Sequence, residues 1–133
     1  MMKELITAAG KVSINYAMGP DSGPPLILLH GVTARWQSFM TLIPYLTPYW
    51  QVFALDFRGH GRSGRASGRY SVADYTADIR AFLESQVSGP AIVLGHSLGG
   101  RIALDLAMNA PDLVQAIVVG DTPLTSLILN PGV

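Results

Sequence analysis

The residues best suited to chemistry are a serine between two glycines, in the motif GHSLG at residues 95–99. An apolar, β-branched run at residues 91–94 precedes it and a helical pattern at residues 98–109 follows it, which predicts a tight strand-to-helix turn. Glycines suit the crowded flanks of such a turn because they lack a Cβ atom. The positive end of the following helix would face the point where acyl transfer develops an oxyanion. The motif therefore predicts that Ser97 is a nucleophile on a strained turn.

The elements that would position this turn alternate between short apolar strands and helices. Strands are predicted at residues 5–8, 12–18, 26–29, 52–55, 91–94 and 114–119. Helices are predicted at residues 36–46, 72–87 and 98–109, although Pro44 weakens the later part of the first. Residues 120–133 show no element of their own. This alternation predicts an α/β fold, a three-layer, mainly parallel sheet of about six strands with helices on both faces. Ligand sites in such sheets lie at the carboxyl ends of the strands.

The composition predicts a single domain over residues 1–133, because 49% of the residues are apolar and only 14% are charged. The formal net charge is zero, so we expect no nucleic-acid partner. No run approaches the roughly 20 apolar residues of a membrane span, and we expect no membrane partner. The chain has no cysteine, which excludes disulfides and thiolate metal sites and is compatible with a cytoplasmic protein.

Three sequence blocks resemble those of the α/β-hydrolase superfamily, in particular its esterase, haloperoxidase-like and C–C-hydrolase branch. The blocks are LLHG at residues 28–31, DFRGHGRS at residues 56–63 and GHSLGG at residues 95–100. The resemblance implies hydrolysis of a carboxylic ester or related acyl bond of a small molecule, with no metal or cofactor. It implies that Ser97 is the nucleophile and that the backbone N–H groups of Val32 and Leu98 form the oxyanion hole. The residues that would support the turn and its neighbouring loop are His30, Gly31, Gly95, His96 and Gly99.

The chain departs from this family in its histidines. The family's catalytic triad runs Ser, Asp or Glu, then His along the chain, but His30, His60 and His96 all precede Ser97. Asp121, after the last predicted strand, is a candidate for the acid, with a loop-capping aspartate as the alternative. Without a base the serine is a poor nucleophile, and we expect none of the three histidines to replace it.

Family members are usually about twice as long, so we expect a hydrolase domain truncated before the cap and the last strands. The isolated chain would be weakly active or inactive. The alternatives are a non-catalytic ligand-binding or assembly module, or one half of a split enzyme. An open sheet edge would favour self-association or pairing with a C-terminal partner chain.

Two further groups of residues admit a structural interpretation. Asp56, Arg58 and His60 belong to a glycine-rich loop that we expect to form an internal ion pair and a turn. Trp36, Phe39 and Met40 could line an acyl pocket, but their helical spacing is at least as typical of core residues.

Overall fold

The computed structural model describes residues 1–122 and contains one six-stranded sheet, in the order β1-β2-β4-β3-β5-β6. The strands are β1 Lys3–Ala9, β2 Val12–Met18, β3 Pro25–Leu29, β4 Gln51–Leu55, β5 Ala91–His96 and β6 Val114–Gly120. β1 and β2 pair antiparallel with each other, and β2 pairs antiparallel with β4, whereas β4, β3, β5 and β6 run parallel. The predicted α/β fold with a mainly parallel sheet is confirmed. The predicted irregular segment beyond Thr122 lies outside the described residues.

Helical elements cover both faces of the sheet, as predicted. The helices are α1 Ile43–Leu46, α2 Val72–Gln86 and α3 Leu98–Asn109, with 3-10 turns at Trp36–Phe39 and Pro111–Leu113. On one face, α2 and α3 pack against each other and the sheet, where Phe82 and Ile102 are fully buried. Complete burial of one such side chain contributes roughly 1.5–3 kcal/mol. The 3-10 turn and α1 pack on the opposite face, around Leu28.

The prediction of one continuous helix over residues 36–46 is wrong. The chain instead forms the 3-10 turn Trp36–Phe39 and the one-turn helix α1. Pro44 lies in the first turn of α1, and a proline is tolerated there because it has no N–H group to donate. The same residue inside a longer helix would remove a hydrogen bond, so the helix is interrupted before it.

The helix α2 begins as its sequence predicts. The Ser71 hydroxyl accepts a hydrogen bond from the backbone N–H of Asp74, and the Asp74 carboxylate accepts one from the Ser71 N–H. This reciprocal capping satisfies two N–H groups that would otherwise have no partner in the helix. The cap fixes where α2 starts and therefore where its first turn lies relative to α3.

The parallel register brings the carboxyl ends of four strands to one edge of the sheet. Leu29 at the end of β3 aligns with Leu55 of β4 and Gly95 of β5, and His96 aligns with Gly120 of β6. The residues that follow these ends are His30, Asp56, Ser97 and Asp121. The fold therefore places the loops predicted to carry the chemistry side by side.

β6 lies at the end of the sheet and pairs only with β5 among the described strands. Val118 on this strand is 50% exposed. Self-association, or pairing with a C-terminal partner chain, stays a prediction. A single monomeric species in sedimentation at micromolar concentration would contradict it.

Candidate active site

Ser97 occupies the sharp turn between β5 and α3. Its φ of 54° and ψ of −114° lie outside the regions that a residue with a side chain prefers. Backbone contacts hold this conformation, because the Ser97 N–H donates to the Gly120 carbonyl at 2.9 Å and its carbonyl accepts from the Gly100 N–H at 3.0 Å. The Thr122 hydroxyl donates to the same Ser97 carbonyl at 3.0 Å. The sheet and its neighbouring loop therefore keep the serine in a strained position.

Two glycines allow β5 and α3 to approach closely around this serine. A Cβ atom on Gly95 would collide with the carbonyl of Gly99. A Cβ atom on Gly99 would collide with the carbonyl oxygens of Leu29 and His30. Both obstacles are backbone atoms that cannot rotate away, so the elbow requires glycine at these positions.

The loop after β3 packs against the elbow through Gly31. A Cβ built on Gly31 would lie 3.4 Å from the Cβ of Ser97 and 3.4 Å from the Nδ1 atom of His96. The next residue, Val32, is 60% exposed. The loop that carries Val32 therefore lies directly against the elbow.

The backbone N–H groups of Val32 and Leu98 have no hydrogen-bond partner within residues 1–122. Leu98 is the first residue of α3, where helical N–H groups have no partner inside the helix. Both residues and Ser97 line one cavity of about 430 Å³. Donors beside a nucleophile can stabilise the negative charge that acyl transfer develops.

His30 is fully buried and both of its ring nitrogens are occupied. Its Nε2 atom accepts from the Phe57 N–H at 3.0 Å, which requires Nδ1 to carry the proton and to donate to the Gly31 carbonyl at 2.6 Å. Burial is the main cause that lowers the pKa of His30 from 6.5 to about 4. His30 is thus neutral at pH 7, and it ties the loop after β3 to the loop after β4.

Asp56 organises the loop after β4 by accepting three hydrogen bonds. Its Oδ1 atom accepts from the Trp36 N–H at 2.7 Å, and its Oδ2 atom accepts from the Arg62 N–H at 3.0 Å and the Asn15 side chain at 2.9 Å. A Cβ atom on Gly61 would collide with the Asp56 carboxylate. The glycine-rich sequence therefore wraps the backbone around a buried carboxylate.

Arg58, another charged residue of this loop, also has a structural role. Arg58 donates to both carboxylate oxygens of Asp78 on α2, at 2.6 and 2.7 Å, and both side chains are at least 95% buried. The His60 Nδ1 atom donates to the Arg58 carbonyl at 2.9 Å. The expected turn is present, but the expectation of an ion pair within the loop is wrong, because Arg58 pairs with Asp78 and so joins the loop to α2.

His96 and Asp121 lie near each other after β5 and β6, and neither lines the Ser97 cavity. The His96 Nε2 atom is 3.9 Å from the Asp121 Oδ2 atom, and the side chains are 55% and 92% exposed. His96 lines a separate cavity of about 420 Å³ with residues that include Phe39 and Val118. The strained turn directs the neighbouring side chains of His96 and Ser97 to different cavities.

The three residues considered for an acyl pocket do not line the Ser97 cavity. Trp36 and Phe39 are each 8% exposed and belong to the core on the α1 face. Met40 is 57% exposed and lines a separate cavity of about 410 Å³ together with Trp36. The core interpretation describes Trp36 and Phe39, and the acyl-pocket interpretation has no geometric support.

Sequence reasoning missed three residues that line the Ser97 cavity: Tyr70, Tyr75 and Arg101. Arg101 could have been found, because residues four apart share one face of a helix and Arg101 follows Ser97 by four. The tyrosines gave no local signal, since Tyr75 lies on α2 and Tyr70 just before it, and only the packing of α2 on α3 brings this part of the chain near Ser97.

The fold and this geometry agree with the comparison to known families. A family model described as the alpha/beta hydrolase fold matches residues 24–132. The chain belongs to the α/β-hydrolase family.

The chain is similar to several hydrolases. It is 35% identical to 2-(acetamidomethylene)succinate hydrolase of Mesorhizobium japonicum over 84% of this chain and 40% of that protein. It is 41% identical to lipase LipV of Mycobacterium tuberculosis over 77% of this chain and 39% of that protein. The crystal structure of E-2-(acetamidomethylene)succinate hydrolase superposes with a TM-score of 0.84 at 32% identity, covering 88% of this chain and 43% of that one.

The chain spans about two fifths of the length of these two curated relatives. Within residues 1–122, no helix is both long enough and apolar enough to cross a bilayer. The same residues contain no group of three or more histidine and carboxylate side chains placed to hold a metal ion. The cytoplasmic location stays a prediction.

Proposed function

We propose that this chain carries the nucleophile and oxyanion hole of a serine hydrolase that acts on a carboxylic ester or related acyl bond. One observation supports it most strongly: the strained Ser97 lines the same cavity as Val32 and Leu98, whose backbone N–H groups have no partner in the described part of the chain. The names of the relatives, a lipase and a hydrolase of an acetamido-bearing succinate, support a hydrolytic reaction.

In the proposed reaction, the Ser97 Oγ atom attacks the carbonyl carbon of the substrate and gives its proton to a base. The resulting oxyanion accepts hydrogen bonds from the Val32 and Leu98 N–H groups, each worth roughly 3–4 kcal/mol in comparable sites. Collapse of the tetrahedral intermediate breaks the ester bond, and the leaving alcohol takes up the proton. Water then cleaves the acyl enzyme, which releases the carboxylic acid and restores the Ser97 hydroxyl.

The base for this reaction is not among the three histidines. Both ring nitrogens of His30 are occupied, and neither His60 nor His96 lines the Ser97 cavity. Loss of the histidine from a triad costs roughly 10⁶-fold in turnover. We therefore propose that the isolated chain turns over weakly or not at all. Asp121 remains the candidate acid that would orient a histidine supplied from elsewhere.

A second candidate function is a non-catalytic ligand-binding or assembly module, or one half of a split enzyme. The observation that favours it is the same arrangement of histidines, since none hydrogen-bonds to Ser97 within residues 1–122. A module of this kind would bind small molecules in the cavity without reacting with them.

Covalent labelling with a fluorophosphonate separates the two functions, with and without imidazole in solution as a replacement base. The proposal predicts slow phosphonylation at Ser97, located by mass spectrometry, that imidazole accelerates. Ser97→Ala would remove the label, and Ser88→Ala, at an exposed serine on the loop after α2, would leave it unchanged. Labelling equal to that of other surface serines, with no effect of imidazole, would favour the binding module.

A further inference from the structure

The carbonyl of Ser97 belongs to the same peptide group as the N–H of Leu98, which is one of the two proposed oxyanion donors. Ser97 and Leu98 line the same cavity. The described residues contain no cis peptide bond, and in a trans peptide the C=O and N–H bonds point in opposite directions. The contacts that hold the Ser97 carbonyl therefore also fix the direction of the Leu98 N–H group.

Three donors from the described part of the chain hold this carbonyl. The N–H groups of Gly100 and Arg101, at 3.0 and 3.3 Å, belong to the first turn of α3 itself. The third donor is the Thr122 hydroxyl at 3.0 Å, which comes from the chain after β6. The same hydroxyl lies 3.2 Å from the Gly120 carbonyl oxygen, so its single proton is shared between two carbonyls. Thr122 thus connects the end of β6 with the start of α3.

The end of β6 brings the Thr122 hydroxyl to this position. The Gly120 carbonyl accepts a hydrogen bond from the Ser97 N–H at 2.9 Å. Asp121 then takes a φ of 50°, which is unusual for a residue with a side chain, and the chain turns back towards the elbow. Residues 120–122 therefore hold the Ser97 backbone through both its N–H and its carbonyl.

Gly100 leaves free the space that the hydroxyl occupies. A Cβ atom on Gly100 would collide with the Thr122 Oγ1 atom and would lie 3.0 Å from the Thr122 Cβ atom. The obstacles at Gly95 and Gly99 are backbone atoms, whereas those at Gly100 are side chains from β6 and the chain after it. The close approach of Thr122 to α3 therefore depends on the absence of a side chain at position 100.

The peptide of the other proposed donor is held in the same way. The Val32 N–H shares its peptide group with the carbonyl of Gly31. This carbonyl accepts from the Nδ1 atom of His30 at 2.6 Å and from the Ala34 N–H at 3.2 Å. In both proposed donors, then, a side chain donates to the carbonyl of the peptide whose N–H has no partner within residues 1–122.

We infer that Thr122 is a positioning residue of the oxyanion hole, which orients and polarises the peptide between Ser97 and Leu98. This inference rests on the proposed function for the role of the Leu98 N–H group. A hydrogen bond to a carbonyl oxygen draws electron density from the amide nitrogen, so the N–H of the same peptide becomes a stronger donor. Thr122 thereby contributes to the stabilisation of the oxyanion without contacting the substrate.

Fluorophosphonate labelling of Ser97 in the presence of imidazole tests the inference, with the rate of the covalent step measured separately from the affinity of the initial complex. Thr122→Val removes the hydroxyl and keeps the size of the side chain. We expect the covalent step to slow about fivefold, the effect of losing one hydrogen bond, while the affinity is unchanged. Thr122→Ala, which places no methyl group beside the carbonyl, should be equally slow. Thr122→Ser keeps the hydroxyl and should restore the wild-type rate.

Thr7→Val is the matched control. Thr7 is also half-buried and its hydroxyl also takes part in a hydrogen bond, with Gln86, but it lies on β1 at the opposite end of the sheet. This variant should label at the wild-type rate. Thermal unfolding of each variant establishes that it is folded before labelling. Wild-type labelling by Thr122→Val, or labelling by Thr122→Ser as slow as that by Thr122→Val, would overturn the inference.

The carbon NMR resonance of the Ser97 carbonyl gives a second readout that needs no reaction. A hydrogen bond to the oxygen deshields the carbon, so the resonance should move upfield in Thr122→Val. It should stay close to its wild-type position in Thr122→Ser and in Thr7→Val. A resonance that does not move in Thr122→Val would overturn the inference.

The two readouts separate this inference from the proposed function. A wild type that never labels at Ser97, with a resonance that moves in Thr122→Val, would lose the serine-hydrolase proposal and retain the orientation of this peptide by Thr122. A wild type that labels at Ser97 no faster than Thr122→Val would retain the proposal and lose the positioning role of Thr122.

Discussion

The loops after β3 and β4 lie beside the elbow after β5, but the two regions differ in whether their polar groups are hydrogen-bonded. In the two loops, His30 and Asp56 are buried and each satisfies several hydrogen bonds. At the elbow, Ser97 is strained and two N–H groups at its cavity have no partner within residues 1–122. Buried polar groups that serve stability are normally hydrogen-bonded. The difference separates the histidine and aspartate that hold the structure from the serine that we propose performs the chemistry.

The strongest test of the elbow's architecture is Gly99→Ala. The added methyl group would collide with the Leu29 and His30 carbonyl oxygens, so we expect the free energy of unfolding to fall by about 4 kcal/mol. Urea denaturation measures this change. Gly120→Ala is the matched control, because its nearest obstacle is 3.9 Å away, and it should change stability by less than about 0.5 kcal/mol. Equal effects of the two substitutions would contradict the close packing described for the elbow.

The buried His30 predicts a dependence of stability on acid. Its folded pKa of about 4 lies below the unfolded value of 6.5, so the unfolded chain binds a proton over this interval and the folded chain does not. Stability should therefore fall by about 3 kcal/mol as the pH decreases from 6.5 to 4, and this contribution is constant above 6.5.

Urea denaturation at several pH values measures this loss in the wild type and in His30→Gln, which should lack it. Glu4 and Asp74 also have lowered pKa values, mainly because of hydrogen bonds with Asn15 and Ser71, but they titrate below their ordinary values of 4.5 and 3.8. Their contributions appear in both proteins and cancel in the comparison. The same slope in His30→Gln would contradict the role of His30.

Asp56→Asn should be less damaging, because it keeps the shape of the side chain and removes one acceptor oxygen. An N–H of Trp36 or Arg62 would then face an amide NH₂ group, with an expected loss of about 2 kcal/mol. Thermal unfolding measures the loss, with Asp21→Asn on an exposed turn as the control. A change no larger than that of the control would show that the three hydrogen bonds do not organise this loop.

The smallest expected effect is a gain in stability, whereas the substitutions above reduce it. Ser97→Gly should stabilise the protein by about 1 kcal/mol, because glycine adopts a positive φ without the strain that a side chain causes. Ser97→Ala retains a Cβ atom and should show no such gain in chemical denaturation. Destabilisation by Ser97→Gly would mean that the Ser97 conformation is not strained.

The sequence predicts most of the fold because its local signals agree with one another. Apolar runs mark the parallel strands, and the Ser71 and Asp74 pair marks the start of α2. The single helix predicted over residues 36–46 fails because Pro44 imposes a break that helical periodicity alone does not show.

The candidate site also has features that the sequence predicts and features that it does not. The nucleophile elbow is local, because a few residues around Ser97 contain the glycines, the turn and the helix start. Tyr70 and Tyr75 line the Ser97 cavity only because separate elements pack together, and no spacing in the sequence indicates this. His96 and Ser97 are adjacent in the sequence but line different cavities, which the tight turn between β5 and α3 explains.

The most direct test of whether Ser97 is a nucleophile is to compare hydrolysis of a short-chain nitrophenyl ester by the wild type and by Ser97→Ala. We expect a small rate above background that disappears in Ser97→Ala, persists in Ser88→Ala and increases when imidazole is added. Equal rates in the wild type and Ser97→Ala, at every imidazole concentration, would contradict a nucleophilic Ser97.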